Sequence, residues 1–155
     1  MEPSDLMVTE KKNVCIMGRK TWESIPRGFR PLKGRINVVL SSTMKKETLT
    51  EEEMNSTYIF NMDLEQSLIA LTESTWLPLI DKVFVIGGAK LIEEALELDC
   101  LRSIFLTRIH ERDFQCDVVI PLEHLNDRHK FRRCAYESVT ELGMMFTFEK
   151  FIVIK

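Results

Sequence analysis

Gly18, Arg19, Lys20 and Thr21 follow directly on an apolar run. A strand that ends in Gly before two cations and a hydroxyl suits an anion held at the carboxyl edge of a sheet. Taken alone, the tetrad also fits a solvated turn. Ser41 and Ser42 close the next apolar run. If the two runs are parallel neighbours, these hydroxyls lie beside Arg19, and a guanidinium with hydroxyls makes a pocket for a phosphate monoester. A second candidate is Val85-Ile86-Gly87-Gly88-Ala89, a strand running into paired glycines and then a helix. Glycines there let the backbone approach a pyrophosphate, while the helix N-terminus supplies partial positive charge. The same pair also serves a tight strand-to-helix turn for steric reasons, and the spacing is not GxGxxG. Arg35, inside RPLKGRIN, stands behind a Pro- and Gly-rich approach. It suits a bidentate grip on a carboxylate, with a surface Arg as the alternative. Trp22 reads as a packing anchor rather than a chemical group.

The elements that position these residues are short β-branched runs at 14–17, 36–40, 58–60, 83–86, 104–109 and 118–120. Near-continuous apolar runs such as KVFVIGG suggest strands buried on both faces, with helices on either side. Two longer runs, 131–140 and 145–154, flank Glu141, Leu142 and Gly143, which read as a hairpin turn. Asp63 caps a helix carrying Leu64, Leu68 and Leu71, with Gln66 completing a capping box. Residues 89–98 place Leu91, Ile92, Ala95 and Leu96 along one helical face. The charged segment 45–55 reads as a solvated loop. The expectation is one α/β domain spanning 1–155, mostly parallel first and antiparallel last.

Composition narrows the function classes. The chain has 155 residues, 45% hydrophobic and 29% charged, which fits one folded domain. A net charge of −3 gives no broad field for nucleic acid or an anionic membrane, so any bound anion needs a local basic site. Cys15, Cys100, Cys116 and Cys134 lie far apart with no CxxC pair, and read as buried or half-buried free thiols rather than a zinc site or disulfide framework. His124 and His129 do not stack on one helical face and read as loop residues. The opening residues carry no apolar run for a secretory signal and little Arg for a mitochondrial one. No segment has the apolar length of a membrane span. A cytoplasmic compartment is the expectation.

IMGRKTWESIP, RPLKGRINVVLSS, VFVIGGA and FLTRIHERDFQCDVVIP resemble dihydrofolate reductase in order and approximate spacing, from about Asn13 to the C-terminus. The resemblance implies an α/β fold around a central eight-stranded, mostly parallel sheet and NADPH-dependent reduction of dihydrofolate to tetrahydrofolate. Arg19, Lys20 and Thr21 would face the NADPH phosphates, and Ser41 and Ser42 would join Arg19 around the 2′-phosphate. Gly87 and Gly88 would form the family's cis Gly-Gly turn and, with Ala89, Lys90 and Leu91 at the following helix, hold the pyrophosphate. Arg35 would grip the α-carboxylate of the folate tail, with Ile25 and Leu32 against the aminobenzoyl ring. Ile86 would border the pteridine, and Thr107 would hydrogen-bond near it. Phe29, Ile92, Ala89, Met62 and Asp63 depart from residues common in the family. A related pyrimidine reductase of riboflavin synthesis is the weaker family match, because it does not account for the motif around Arg35.

Relatives of this kind also place a strand, a mobile loop and an acid-bearing helix before the IMGRKTW strand. The sequence begins beyond that helix, so the expectation is an N-terminally truncated domain with no identified catalytic residue. Asp5 and Glu10 belong to a short polar arm and do not replace the acid. The alternatives are a noncatalytic NADPH- or folate-binding form and an inactive fragment. The expected partner is folate or dihydrofolate, without nucleic acid or membrane. A monomer is expected, or self-association through exposed sheet edges.

Overall fold

A computed structural model describes residues 10–110, 114–120 and 122–154. Asp5 and the side chain of His124 lie outside the described residues. Two compact units make up the chain, Met1–Ala95 and Leu96–Lys155, and each carries its own sheet. The α/β class with a mostly parallel sheet and a terminal antiparallel hairpin holds. Among the described residues, the eight-stranded sheet implied by the resemblance is instead seven strands in two sheets.

The first unit is built on four parallel strands: β1 (Lys12–Gly18), β2 (Arg35–Leu40), β3 (Thr57–Phe60) and β4 (Ile80–Val85). Their order is β3-β2-β1-β4. Val14 pairs with Ile36 on one side and Val83 on the other, so β1 sits inside the sheet. Its core, Val14 to Met17, is buried throughout, as is Ile36 to Val39 of β2. That is the pattern of strands covered on both faces. The same expectation fails for β4. Asp81, Lys82 and Val83 are exposed because β4 stands at the sheet's edge, not in its middle.

Three α-helices lie between these strands, α1 (Arg19–Ser24), α2 (Glu51–Met54) and α3 (Leu64–Ala70), and α4 (Ala89–Leu96) follows β4. Trp22 of α1 is 1% exposed and packs with Cys15, Met17, Val39 and Leu49 on one face of the sheet. Strand alternation turns Tyr58 and Phe60 to the opposite face. There Trp76 meets both rings edge-on, at 4.7 and 6.2 Å between centroids.

Asp63 caps α3 as expected. Its carboxylate accepts from Gln66 N–H at 2.8 Å, and Gln66 Oε1 accepts from Asp63 N–H at 3.4 Å. Residues 45–55 correct the loop expectation. They form a 3₁₀ turn at Lys46–Thr48 and then α2, with Leu49 and Glu53 buried. Thr50 and Glu53 make a second capping box, at 3.3 and 2.7 Å. That pattern was present in the sequence beneath a run of acids, which favour a helix's first turn. Glu53 also pairs with Arg30 Nε at 3.4 Å; their side chains are 9% and 12% exposed.

The second unit is an antiparallel sheet of β5 (Ser103–Ile109), β6 (Phe131–Glu141) and β7 (Met144–Val153), ordered β5-β7-β6. Glu149 of the central strand is buried and lies between Arg108 at 3.6 Å and Arg133 at 3.5 Å. Residues 118–120 form no strand; Val118 and Val119 are exposed, so β-propensity alone does not organise them. Cys100, Cys116 and Cys134 are exposed free thiols, and only Cys15 matches the buried expectation. Cys134 falls where the β6 register shifts, between Arg133 and Ala135. The β6–β7 turn places Leu142 and Gly143 at φ +50 and +82, the pair of positive φ values that a two-residue I′ hairpin requires.

Two stability outcomes follow from these contacts. Glu53→Ala removes a cap and leaves the Arg30 guanidinium uncompensated in a nearly buried position. A loss of about 3 kcal/mol is expected from the urea midpoint. Leu142→Asn puts a residue that tolerates left-handed backbone in place of one that does not, and stability rises by about 0.5–1 kcal/mol, read as a higher urea midpoint with an unchanged m-value.

Candidate ligand-binding site

Because β1, β2 and β4 run parallel, Gly18, Ser41 and the Ile86-Gly87 step emerge at one carboxyl edge. This edge is where open parallel sheets hold ligands. The Gly18 amide donates to Gly87 O at 2.9 Å, and the Ile86 amide donates to Ile16 O at 2.9 Å. The β1–β4 pairing thus carries the glycine turn against the start of α1. Gly87–Gly88 is cis, and Gly87 has φ +124, a conformation that L side chains rarely adopt. A Cβ on Gly87 would lie 3.5 Å from Thr21 Oγ1, so Thr21 packs directly over the turn. Ile92 N–H donates to Gly88 O at 3.1 Å, starting the α4 bonding pattern. The amides of Ala89, Lys90 and Leu91 precede that pattern and have no acceptor within the helix.

Arg19 and Lys20 are exposed at this end. Arg19 Nη1 lies 3.4 Å from Glu23 Oε1, with both side chains about half exposed. Such a pair holds roughly 0–1 kcal/mol and yields readily to a more highly charged anion. Ser41 Oγ accepts from Thr43 N–H at 3.2 Å and Met44 N–H at 2.9 Å. It therefore shapes the 41–44 turn, and its hydroxyl also meets Thr43 Oγ1 at 3.5 Å. Thr43 and Met44 line a cavity of about 570 Å³ with Arg19, Ile25, Arg27 and Arg30. Among the described residues, neither Ser41 nor Ser42 lines it.

A second cavity, of about 380 Å³, is lined by Asn13, Cys15, Leu32, Arg35, Phe84 and Ile86. It brings Leu32, Arg35 and Ile86 together, one cationic head among mostly apolar walls. Ile25 is not part of this lining; it packs on the Trp22 core and faces the other cavity. Thr107 belongs to the second unit, on β5 opposite Phe148, and is exposed. Sequence reasoning missed Asn13, Cys15 and Phe84. Asn13 pairs with Arg35 across the ladder, and Cys15 pairs with Phe84, so parallel alternation from Arg35 was the signal that could have found them.

Burial pushes the Cys15 thiol above its ordinary value, and the Arg35 guanidinium opposes that rise. The cavity wall is thus a neutral thiol beside a fixed cation, suited to a flat apolar group ending in an anion.

A match to the dihydrofolate reductase family model covers residues 6–152, nearly the whole chain. The chain belongs to the dihydrofolate reductase family. Similar proteins include bifunctional dihydrofolate reductase-thymidylate synthase 2 of Arabidopsis thaliana, 34% identical over 94% of this chain and 24% of that protein. The bifunctional dihydrofolate reductase-thymidylate synthase of Glycine max is 40% identical over 72% of this chain and 20% of its own length. That of Plasmodium chabaudi is 37% identical over 74% and 18%. The chain spans about a quarter or less of these relatives.

The thiol environment has a direct readout. With iodoacetamide at about pH 8, Cys100, Cys116 and Cys134 alkylate well before Cys15, as peptide masses will report. A raised folded pKa means that the thiol's contribution to stability is fully present below its unfolded value. It is lost as pH rises through the folded one. The urea-midpoint gap between the unaltered chain and Cys15→Ala therefore narrows on that alkaline side.

Proposed function

We propose that this chain carries the NADPH-phosphate grip and folate-tail clamp for reduction of dihydrofolate to tetrahydrofolate. The observation carrying this reading is the single cavity that gathers Leu32, Arg35 and Ile86. Arg35 offers a planar fork to a carboxylate, Leu32 an apolar wall to an aryl ring, and Ile86 a second apolar surface.

The residues at the carboxyl edge fit the cofactor's charged part. Gly87 adopts a backbone that brings the chain close without a side chain. The free amides of Ala89, Lys90 and Leu91 suit a pyrophosphate, and Arg19 and Lys20 add cationic charge beside it. Ser41 and Ser42 offer hydroxyls nearby, Ser42 the more exposed of the two. NADPH, when bound, supplies the hydride. The chain's own residues anchor and orient both ligands. Three exposed free thiols suit the reducing cytoplasm as its compartment.

A second reading, ligand binding without turnover, is favoured by the lining of the Arg35 cavity. Among its described residues, Arg35 and Cys15 are ionisable and there is no carboxylate to handle a proton. Calorimetry with dihydrofolate and NADPH, run beside spectrophotometric NADPH oxidation, separates the two. Binding with turnover supports the reductase; binding without it supports the second reading; heat from neither ligand removes both. Arg35→Leu is expected to weaken dihydrofolate about 10- to 100-fold, the loss of a charge-assisted bidentate pair, while leaving NADPH affinity unchanged.

A further inference from the structure

We infer that Asn37 is the positioning residue that aims Arg35, and that it does so by gripping Leu32 in the loop between α1 and β2 together with the backbone of Arg35 itself. The inference rests on the folate-tail reading of Arg35. Asn37 sits in the middle of β2 with 0% exposure, between Ile36 and Val38, where an apolar residue would be the ordinary choice. A buried amide must spend its bonds inside the protein, and Asn37 spends two of its four on Leu32 in that loop and one on Arg35, where the loop enters β2. Its Oδ1 accepts from Leu32 N–H at 3.0 Å. Its Nδ2 donates to Leu32 O at 3.2 Å, and lies 3.3 Å from both Arg35 O and Ser56 O.

The first two contacts close a ring with both backbone groups of one residue, as a neighbouring strand would. The third holds the carbonyl of Arg35 itself, two residues back on the same face of β2. The fourth ties this grip to the residue preceding β3. Lys33 and Gly34 are exposed and Gly34 has φ +70, so little else in the loop's middle fixes it. Farther back, Arg30 Nη1 donates to Trp22 O at 3.3 Å and its guanidinium lies 5.2 Å from the Trp22 ring centre. The loop is therefore anchored to the core at Arg30 and to the sheet through Asn37. Leu32 and Arg35, two of the residues lining the cavity, are among those whose backbone Asn37 holds.

A purely structural amide would affect every ligand alike. A positioning amide affects the group that Arg35 contacts. Folate and folate dimethyl ester differ in whether the tail carries carboxylates, so their affinity ratio isolates that contact. In the full chain, Asn37→Ser and Asn37→Ala are expected to weaken folate about 10-fold, the size of one charge-assisted hydrogen bond, while the ester changes by less than about twofold. NADPH affinity should remain unchanged. In an Arg35→Leu background, the same substitutions should leave the folate-to-ester ratio where Arg35→Leu alone puts it.

Equal loss of folate and ester, or a further fall of the ratio in the Arg35→Leu background, overturns the inference. So does an unchanged ratio in both Asn37 variants when the unaltered chain prefers folate. Failure of both variants to give a cooperative thermal transition also overturns it, since Asn37 is then a folding residue alone. No preference for folate over its ester in the unaltered chain removes the folate-tail reading itself, and this inference with it.

Discussion

Parallel pairing of β1 with β2 and with β4 is the constraint on which both candidate ligand regions depend. Parallel neighbours share a direction, so their carboxyl ends meet at one edge, and their alternating side chains line up across the ladder. The first consequence gathers Gly18, Ser41 and the glycine turn after β4. The second sets Asn13 beside Arg35 and Cys15 beside Phe84. Neither grouping exists along the chain. Both come from register.

Around that sheet, the loops are held by polar atoms taken out of water. Ser41 closes one turn, Arg30 and Glu53 brace another, and Asn37 holds the approach to Arg35. Each group would be costly if its partner were missing, which is what makes it a precise support. The exposed cations contrast with this. Arg19 and Lys20 pay little to stay hydrated and retain the freedom to meet an anion. Buried groups such as Asn37 and Glu53 serve placement, and the exposed cations are available for attraction.

Much of the first unit was legible because its signals are local. Strands β1 and β2, the glycine turn and the Asp63 capping box each announce themselves within a few residues. What escaped depended on partners distant in sequence. KVFVIGG has the apolar character of an inner strand, yet β4 lies at an edge, and only the strand order reveals that. The Thr50–Glu53 box was as readable as the one at Asp63, but consecutive acids drew attention to solvation instead of to a helix's first turn. Cys15 and Asn13 could enter the cavity only once register was known. Asn37 is one polar residue in an apolar strand, and its reason lies in backbone groups of Leu32, Arg35 and Ser56. In the second unit the hairpin was visible from its turn, whereas the run at 118–120 had β-branched residues without burial.

The β1 ladder also carries a consequence for the order in which the chain assembles. Val14 finds Ile36 across a short crossover, but its other neighbour, Val83, is roughly three times as far along the sequence. Closing the longer loop costs more entropy and earns its reward later. The β1–β2–β3 part is thus the natural early nucleus, and the Gly18–Gly87 hydrogen bond belongs to a late step. Within this sheet the β1–β4 edge is completed late and opens early, so a ligand spanning it would act chiefly as a brake on unfolding.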